Sequence, residues 1–65
     1  MSQTITVEGM SCEHCERTVS EALEGVDGVT AVSVDRETAT ATVDGDAEVE
    51  SLVEAVEAAG YEASA

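Results

Sequence analysis

Hydrophobic periodicity constrains the fold of this 65-residue chain more than any other feature, because it switches repeatedly between a period of two and a period of 3.6. Alternation predicts strands with one buried face, and helical spacing predicts amphipathic helices. The alternating segments are residues 3–7, 29–35, 38–43 and 61–63. The helical stripes are Cys15, Val19, Ala22, Leu23 and Val26, and then Val49, Leu52, Val53, Val56 and Ala59.

Capping and turn residues set the predicted ends of these segments. Ser11 is placed to cap the first helix, and Gly25 can end it. The short link 35–37 predicts a hairpin between the second and third strands. Asp46 is placed to cap the second helix, and Gly60 can end it.

The resulting order is strand, helix, strand, strand, helix, strand. With both helices on one face of a four-stranded antiparallel sheet, this order predicts an α+β, ferredoxin-like βαββαβ sandwich. No linker or low-complexity tract interrupts the pattern, so we expect a single domain over residues 1–65.

The charge balance excludes several classes of partner. The chain has fifteen acidic residues and only two basic ones, Arg17 and Arg36, which gives a formal net charge of −13. Nucleic acids and anionic membrane surfaces need basic side chains, so neither is expected to bind. A dense acidic surface is also typical of adaptation to high salt, which indicates a halophilic protein. The sequence contains neither a signal peptide pattern nor a membrane-spanning segment, so a cytoplasmic location is expected.

Both cysteines of the chain, Cys12 and Cys15, lie at the predicted start of the first helix. A thiolate is the metal-binding and nucleophilic form of cysteine, and the positive end of a helix favours it. Two thiolates suit a soft ion that accepts few ligands, with Cu(I) as the leading case, whereas structural zinc requires four ligands. Two-coordination leaves the ion open to a second thiol pair, which favours delivery over storage. A dithiol oxidoreductase, a Zn(II)- or Cd(II)-binding domain and a pair of incidental cysteines are the alternatives.

Residues 9–15, GMSCEHC, resemble the GMxCxxC loop of the heavy-metal-associated domain, which occurs in copper chaperones and in copper-transporting P-type ATPases. Residues 59–61 are similar to the family's ending of the second helix, and the resemblance covers nearly the whole chain. It implies a non-enzymatic protein that binds Cu(I) through Cys12 and Cys15 and passes it to a partner with a similar motif. Zinc and cadmium members often have an acidic residue where this chain has Ser11, so the resemblance favours Cu(I).

Three further residues are candidates for the site. His14 lies between the cysteines and could bind copper or zinc, or it could simply face solvent. Met10 carries a thioether, although methionine more often fills the core. The resemblance implies that the Tyr61 hydroxyl lies near the sulfur atoms, and the alternative is a residue that seals the edge of the core.

The resemblance also implies a partner and an assembly state. The expected partner is a copper-transporting P-type ATPase or its metal-binding domain. We expect a monomer without metal, and a metal-bridged dimer is the alternative when metal is present. Some family members dock through lysines, and this chain has none, so that docking scheme does not apply here.

Overall fold

The computed structural model describes residues 2–64. It confirms the predicted order of strands and helices, although several ends differ. The six elements are β1 (Ser2–Glu8), α1 (Glu13–Glu24), β2 (Val29–Asp35), β3 (Thr40–Gly45), α2 (Val49–Ala58) and β4 (Glu62–Ser64). Positions 1 and 65 of the expected domain lie outside the described residues. No helix between residues 2 and 64 combines the length and the apolarity needed to cross a membrane.

The four strands form one antiparallel sheet in the order β2-β3-β1-β4. Strand β1 is one of the two inner strands, and in it Ile5 is opposite Ala41 of β3 and Val7 is opposite Ala63 of β4. Because alternate side chains of a strand point to opposite faces, these apolar residues share the face covered by both helices. This is the ferredoxin-like arrangement predicted from the periodicity.

The core between the sheet and the helices is aliphatic. Its largest fully buried side chains are Ile5, Val7, Val19, Leu23, Val43, Leu52 and Val56. Among residues 2–64, no polar or charged residue is buried. Burial of apolar area is therefore the main stabilising term, and side chains of this size bury little area each.

Both predicted N-caps are wrong. Helix α1 is preceded by Cys12, whose backbone is extended and whose carbonyl accepts hydrogen bonds from the amides of Cys15 and Glu16, at 3.0 and 3.3 Å. Ser11 lies one residue too early to cap it. Helix α2 is preceded by Glu48, so Asp46 lies two residues too early to cap it, and its amide bonds instead to the Gly28 carbonyl at 3.0 Å.

Two predicted strand starts are also shifted. Ala39 has a φ of +56°, which places it in the turn between β2 and β3 and moves the start of β3 from residue 38 to Thr40. The Ala39 carbonyl accepts a hydrogen bond from the amide of Val7 at 2.8 Å, so the turn is held against β1. Strand β4 begins at Glu62, because the Tyr61 amide still bonds to a carbonyl of α2.

Candidate metal centre

The loop between β1 and α1 presents the cysteines at one end of the molecule. Gly9 leaves β1 with a φ of +96°, a conformation that side chains disfavour, and so turns the chain sharply. The next residue, Met10, is buried to 9% exposure and anchors the loop in the core. This confirms the core-filling interpretation of Met10. Cys12 then lies exposed just outside the helix, while Cys15 is half-buried in its first turn.

The two sulfur atoms lie together. The Sγ atoms of Cys12 and Cys15 are 3.2 Å apart, and both cysteines are free. Their position at the start of α1 exposes them to the positive end of the helix, which favours thiolates. The pair is therefore a compact, accessible donor set that suits a soft metal ion.

The surroundings of Cys15 favour its ionised form at neutral pH. The pKa of Cys15 falls from an ordinary value of 9.0 to about 6. The largest cause is a hydrogen bond from the Tyr61 hydroxyl, followed by one from the Cys12 thiol and one from the backbone of Ser11, while burial acts in the opposite direction. Hydrogen bonds, and not the charge of a lysine or an arginine, are the causes that lower this pKa and favour the thiolate.

Tyr61, the residue just before β4, is half-buried and faces the sulfur pair. Its ring packs over the loop, since a Cβ built on Gly9 would lie 3.5 Å from the ring carbon Cδ1. Its pKa is raised, first by the hydrogen bond with Cys15 and then by burial and by the charges of both cysteines. The hydroxyl therefore stays protonated and acts as a donor to the Cys15 sulfur.

Thr18 is a residue of the site that sequence reasoning missed. It follows Cys15 by three positions on α1, so the two side chains share one helix face. Its hydroxyl interacts with the Tyr61 hydroxyl and partly offsets the rise in the Tyr61 pKa. The same hydroxyl donates a hydrogen bond to the His14 carbonyl at 2.9 Å. The sequence signal that could have identified Thr18 was its spacing of three residues from Cys15 on the same helix.

The His14 side chain is exposed on the first turn of α1. Within residues 2–64, no three His, Cys, Asp or Glu side chains are grouped so that they could hold a metal ion together. The imidazole is therefore not grouped with the two sulfurs in this structure. The potential metal-binding atoms that the structure brings together at this end of the molecule are the sulfurs of Cys12 and Cys15.

A hydrogen bond fixes the β2–β3 turn beside the same end of α1. The Glu16 carboxylate accepts it from the backbone amide of Arg36, at 2.9 Å. Because Glu16 is adjacent to Cys15, this contact places the turn close to the start of the helix that carries the thiol. The loop after β1, the β2–β3 turn and the start of β4 therefore meet at one end of the sandwich.

Residues 4–62 match the heavy-metal-associated domain family, and the site loop lies within this range. The chain belongs to this family. A copper chaperone CopZ from Staphylococcus haemolyticus is 42% identical over 65 residues, a match that covers 95% of this chain and 96% of that protein. The predicted family membership is therefore confirmed.

Solved structures agree with this assignment. The structure of a CopZ metallochaperone superimposes with a TM-score of 0.93 at 36% identity, covering 98% of this chain and 100% of that one. A copper binding domain from HMA7, a P-type ATPase, gives a TM-score of 0.93 at 35% identity, covering 97% of this chain and 89% of that domain. The fold is therefore shared with a metallochaperone and with a copper binding domain of a P-type ATPase.

Proposed function

We propose that this protein is a copper chaperone that carries one Cu(I) ion between Cys12 and Cys15 and transfers it to a partner protein. The observation that carries the proposal is the exposed pair of sulfurs, 3.2 Å apart, in which the pKa of Cys15 is lowered to about 6. The similarity to copper chaperones over 95% of the chain supports the same conclusion. No chemistry on a substrate is involved.

The donor set favours Cu(I) over zinc. Structural zinc takes four ligands, and residues 2–64 provide no group of three His, Cys, Asp or Glu side chains for it. A linear ion between two thiolates, with the metal–sulfur distance of about 2.3 Å known for zinc thiolates, needs sulfurs about 4.6 Å apart. Rotation of the exposed Cys12 side chain can supply this opening, because Cys12 lies outside the helix.

The exposure of Cys12 also suits transfer by ligand exchange. A thiolate of the partner binds the two-coordinate ion, one cysteine sulfur leaves it, and a second partner thiolate then displaces the other sulfur. We infer that the partner is a metal-binding domain of a copper-transporting P-type ATPase, a proposal supported by the shared fold of such a domain. The protein would then act in the cytoplasm, as a monomer without metal, with a metal-bridged dimer as the alternative loaded state.

Anaerobic titration with Cu(I), in competition with a soft chelator, tests the proposal. The wild type should bind one ion per chain, and Cys12→Ser or Cys15→Ser should each remove most of the affinity. Ser11→Ala is the matched control, because it changes the same loop without removing a thiol. Retention of tight Cu(I) binding by the Cys12→Ser, Cys15→Ser double variant would overturn the assignment.

The same pair of thiols could instead serve a dithiol oxidoreductase, because sulfurs 3.2 Å apart need little movement to form a disulfide. A disulfide reduction assay with the metal-free protein separates the two functions. We expect Cu(I) binding without appreciable reductase turnover, and tighter binding of Cu(I) than of Zn(II) or Cd(II). Efficient turnover, or a preference for Zn(II), would favour the corresponding alternative.

A further inference from the structure

Helix α1 begins without the side-chain cap that commonly stabilises a first turn. Cys12, the residue before the helix, forms no capping hydrogen bond through its side chain within residues 2–64. Its carbonyl accepts hydrogen bonds from the amides of Cys15 and Glu16, at 3.0 and 3.3 Å, and these two bonds close the first turn. A first turn without a cap opens easily, because its other amides lack partners within the helix. Opening of this turn separates Cys15 from Cys12, since the bonds that break are the ones that join them.

The β2–β3 turn, residues 36–39, anchors this first turn from a distant part of the chain. The Glu16 carboxylate accepts a hydrogen bond from the Arg36 amide at 2.9 Å. Glu16 is half-buried, and its own amide donates to the Cys12 carbonyl. Glu16 therefore bonds to the β2–β3 turn through its side chain and to Cys12 through its backbone.

The β2–β3 turn is itself closed and attached to the sheet. The Ala39 amide donates to the Arg36 carbonyl at 3.3 Å. The Glu37 amide donates to the Asp35 carboxylate at 3.0 Å. The Ala39 carbonyl accepts from the Val7 amide of β1 at 2.8 Å. The turn is thus bonded to both ends of the loop between β1 and α1. A bond to such an ordered turn restrains the helix more than a bond to a free loop would, because less conformational freedom remains to be lost.

We propose that Glu16 is a positioning residue, whose hydrogen bond to the Arg36 amide keeps the first turn of α1 formed and so keeps the two thiols together for the ion. This inference rests on the proposed function. A site that is open for part of the time binds the ion with an affinity reduced by the closed fraction. Linkage also requires the reverse effect, so a bound ion that joins the two sulfurs stabilises the hydrogen bond to Arg36.

Three variants in molar salt test the hydrogen bond through the Cu(I) affinity. Glu16→Ala removes the acceptor, and we expect it to weaken Cu(I) binding about two- to fivefold, even though alanine is the best helix former. Glu16→Gln keeps an oxygen that accepts from the amide, so it should retain most of the affinity. Glu13→Ala is the matched control, because it removes a carboxylate from the same first turn, and it should bind Cu(I) as the wild type does.

Amide hydrogen exchange, measured by nuclear magnetic resonance, reports on the first turn without metal. In metal-free Glu16→Ala the Cys15 amide should exchange faster than in the wild type, and in Glu16→Gln it should exchange at close to the wild-type rate. The Leu52 amide bonds to the Glu48 carbonyl at 3.2 Å in the first turn of α2, so it is the control for a loss of stability in the whole domain. In the wild type, Cu(I) should slow the exchange of the Arg36 amide.

The outcomes separate this inference from the proposed function. Wild-type affinity and wild-type exchange at Cys15 in Glu16→Ala would overturn the role of Glu16, while cysteine-dependent Cu(I) binding would still support the function. Equal losses of affinity in Glu16→Ala and Glu16→Gln would also overturn it, because the charge and not the hydrogen bond would then be responsible. Equally accelerated exchange at Leu52 would show a loss of global stability and would overturn it as well. A wild type without cysteine-dependent Cu(I) binding would overturn the function itself.

Discussion

The backbone of Gly45, at the end of β3, lies directly against the carbonyl group of Gly28, just before β2. A Cβ atom built on Gly45 would overlap the Gly28 carbonyl oxygen, and Gly45 has a φ of +130°. The same oxygen accepts a hydrogen bond from the Asp46 amide at 3.0 Å. This close approach turns the chain from the sheet towards α2, at the end of the molecule opposite the cysteines.

Gly45→Ala should therefore be one of the most destabilising single substitutions. Gly60→Ala is the matched control, because Gly60 also has a positive φ, of +99°, but a Cβ there would meet nothing within 4 Å. Gly60→Ala should lower the free energy of unfolding only by the cost of placing a side chain on a left-handed backbone, about 1–2 kcal/mol. Gly45→Ala adds an overlap with backbone atoms of Gly28, which cannot move aside, so it should lower the free energy of unfolding clearly more than Gly60→Ala does. Urea unfolding of both variants in molar salt measures this difference, and equal losses would contradict the steric argument.

The sequence was sufficient for the element order and for the meeting of the two thiols, because both follow from short-range periodicity and spacing. The sequence was insufficient where a backbone group forms a hydrogen bond with a residue far away along the chain. The amide of Asp46 bonds to the Gly28 carbonyl, and the helix begins only after Glu48, two residues later. Ala39 adopts a positive φ where its carbonyl accepts a hydrogen bond from β1. Thr18 was missed for the same reason, since its influence on the pKa of Tyr61 depends on where the fold places that tyrosine.

Tyr61→Phe should raise the pKa of Cys15 above its value of about 6, because the Tyr61 hydroxyl makes the largest contribution to lowering it. Titration of the thiolate absorbance under anaerobic conditions measures this change. Cys12→Ser simplifies the curve by removing the second thiol, and the Tyr61 substitution should be compared in that background as well. Thr42→Val is the control for the loss of a hydroxyl. An unchanged Cys15 pKa would show that the hydroxyl does not act on the sulfur.

The same hydrogen bond predicts a pH dependence of stability. The pKa of Cys15 is lower in the folded protein than its ordinary value of 9.0, so its contribution to stability is fully present above pH 9 and is lost as the pH falls through about 6. The difference in unfolding free energy between the wild type and Tyr61→Phe should therefore grow from pH 6 to pH 9. A difference that stays constant across this window would contradict the linkage.

Two glutamates oppose each other in the pairing of β1 with β4. Glu8 lies directly opposite Glu62, and Glu57, from the last turn of α2, lines the same surface concavity. Like charges opposite each other on neighbouring strands are destabilising. A negative charge at the C-terminal end of a helix is also unfavourable, because it lies beside the negative end of the helix dipole. Repulsion is therefore concentrated beside Tyr61, the residue that precedes Glu62.

Glu62→Gln should stabilise the protein by about 0.2–1 kcal/mol in low salt, because it removes the opposition to Glu8. Glu50→Gln is the matched control, since it also removes one negative charge, but Glu50 lies in the first turn of α2 where that charge is favourable. Denaturant unfolding at low and high ionic strength measures both variants. Equal changes in the free energy of unfolding for the two variants would show that stability depends on the net charge and not on the position of the carboxylate.

The net charge of −13 predicts that the folding of the whole domain depends on salt. The longest extent of the molecule is 28 Å, whereas the screening length is about 30 Å at 0.01 M salt and about 3 Å at 1 M. In dilute buffer each acidic group therefore repels acidic groups across the whole molecule, and in molar salt only its immediate neighbours. The opposing aliphatic core belongs to a size class that rarely has more than roughly 3–5 kcal/mol to spare.

We therefore expect the metal-free protein to be partly or wholly unfolded in dilute buffer and to fold as the salt concentration approaches 1 M. Cu(I) should lower the salt concentration at the folding midpoint, because it binds the folded state and replaces repulsion between two thiolates with attraction to a cation. Circular dichroism across a salt series, with and without Cu(I), measures both midpoints. The Cys12→Ser, Cys15→Ser double variant should fold with salt but lose the effect of Cu(I). A helical spectrum that is complete without added salt would mean that the aliphatic core alone outweighs the repulsion, and that the acidic surface serves only solubility.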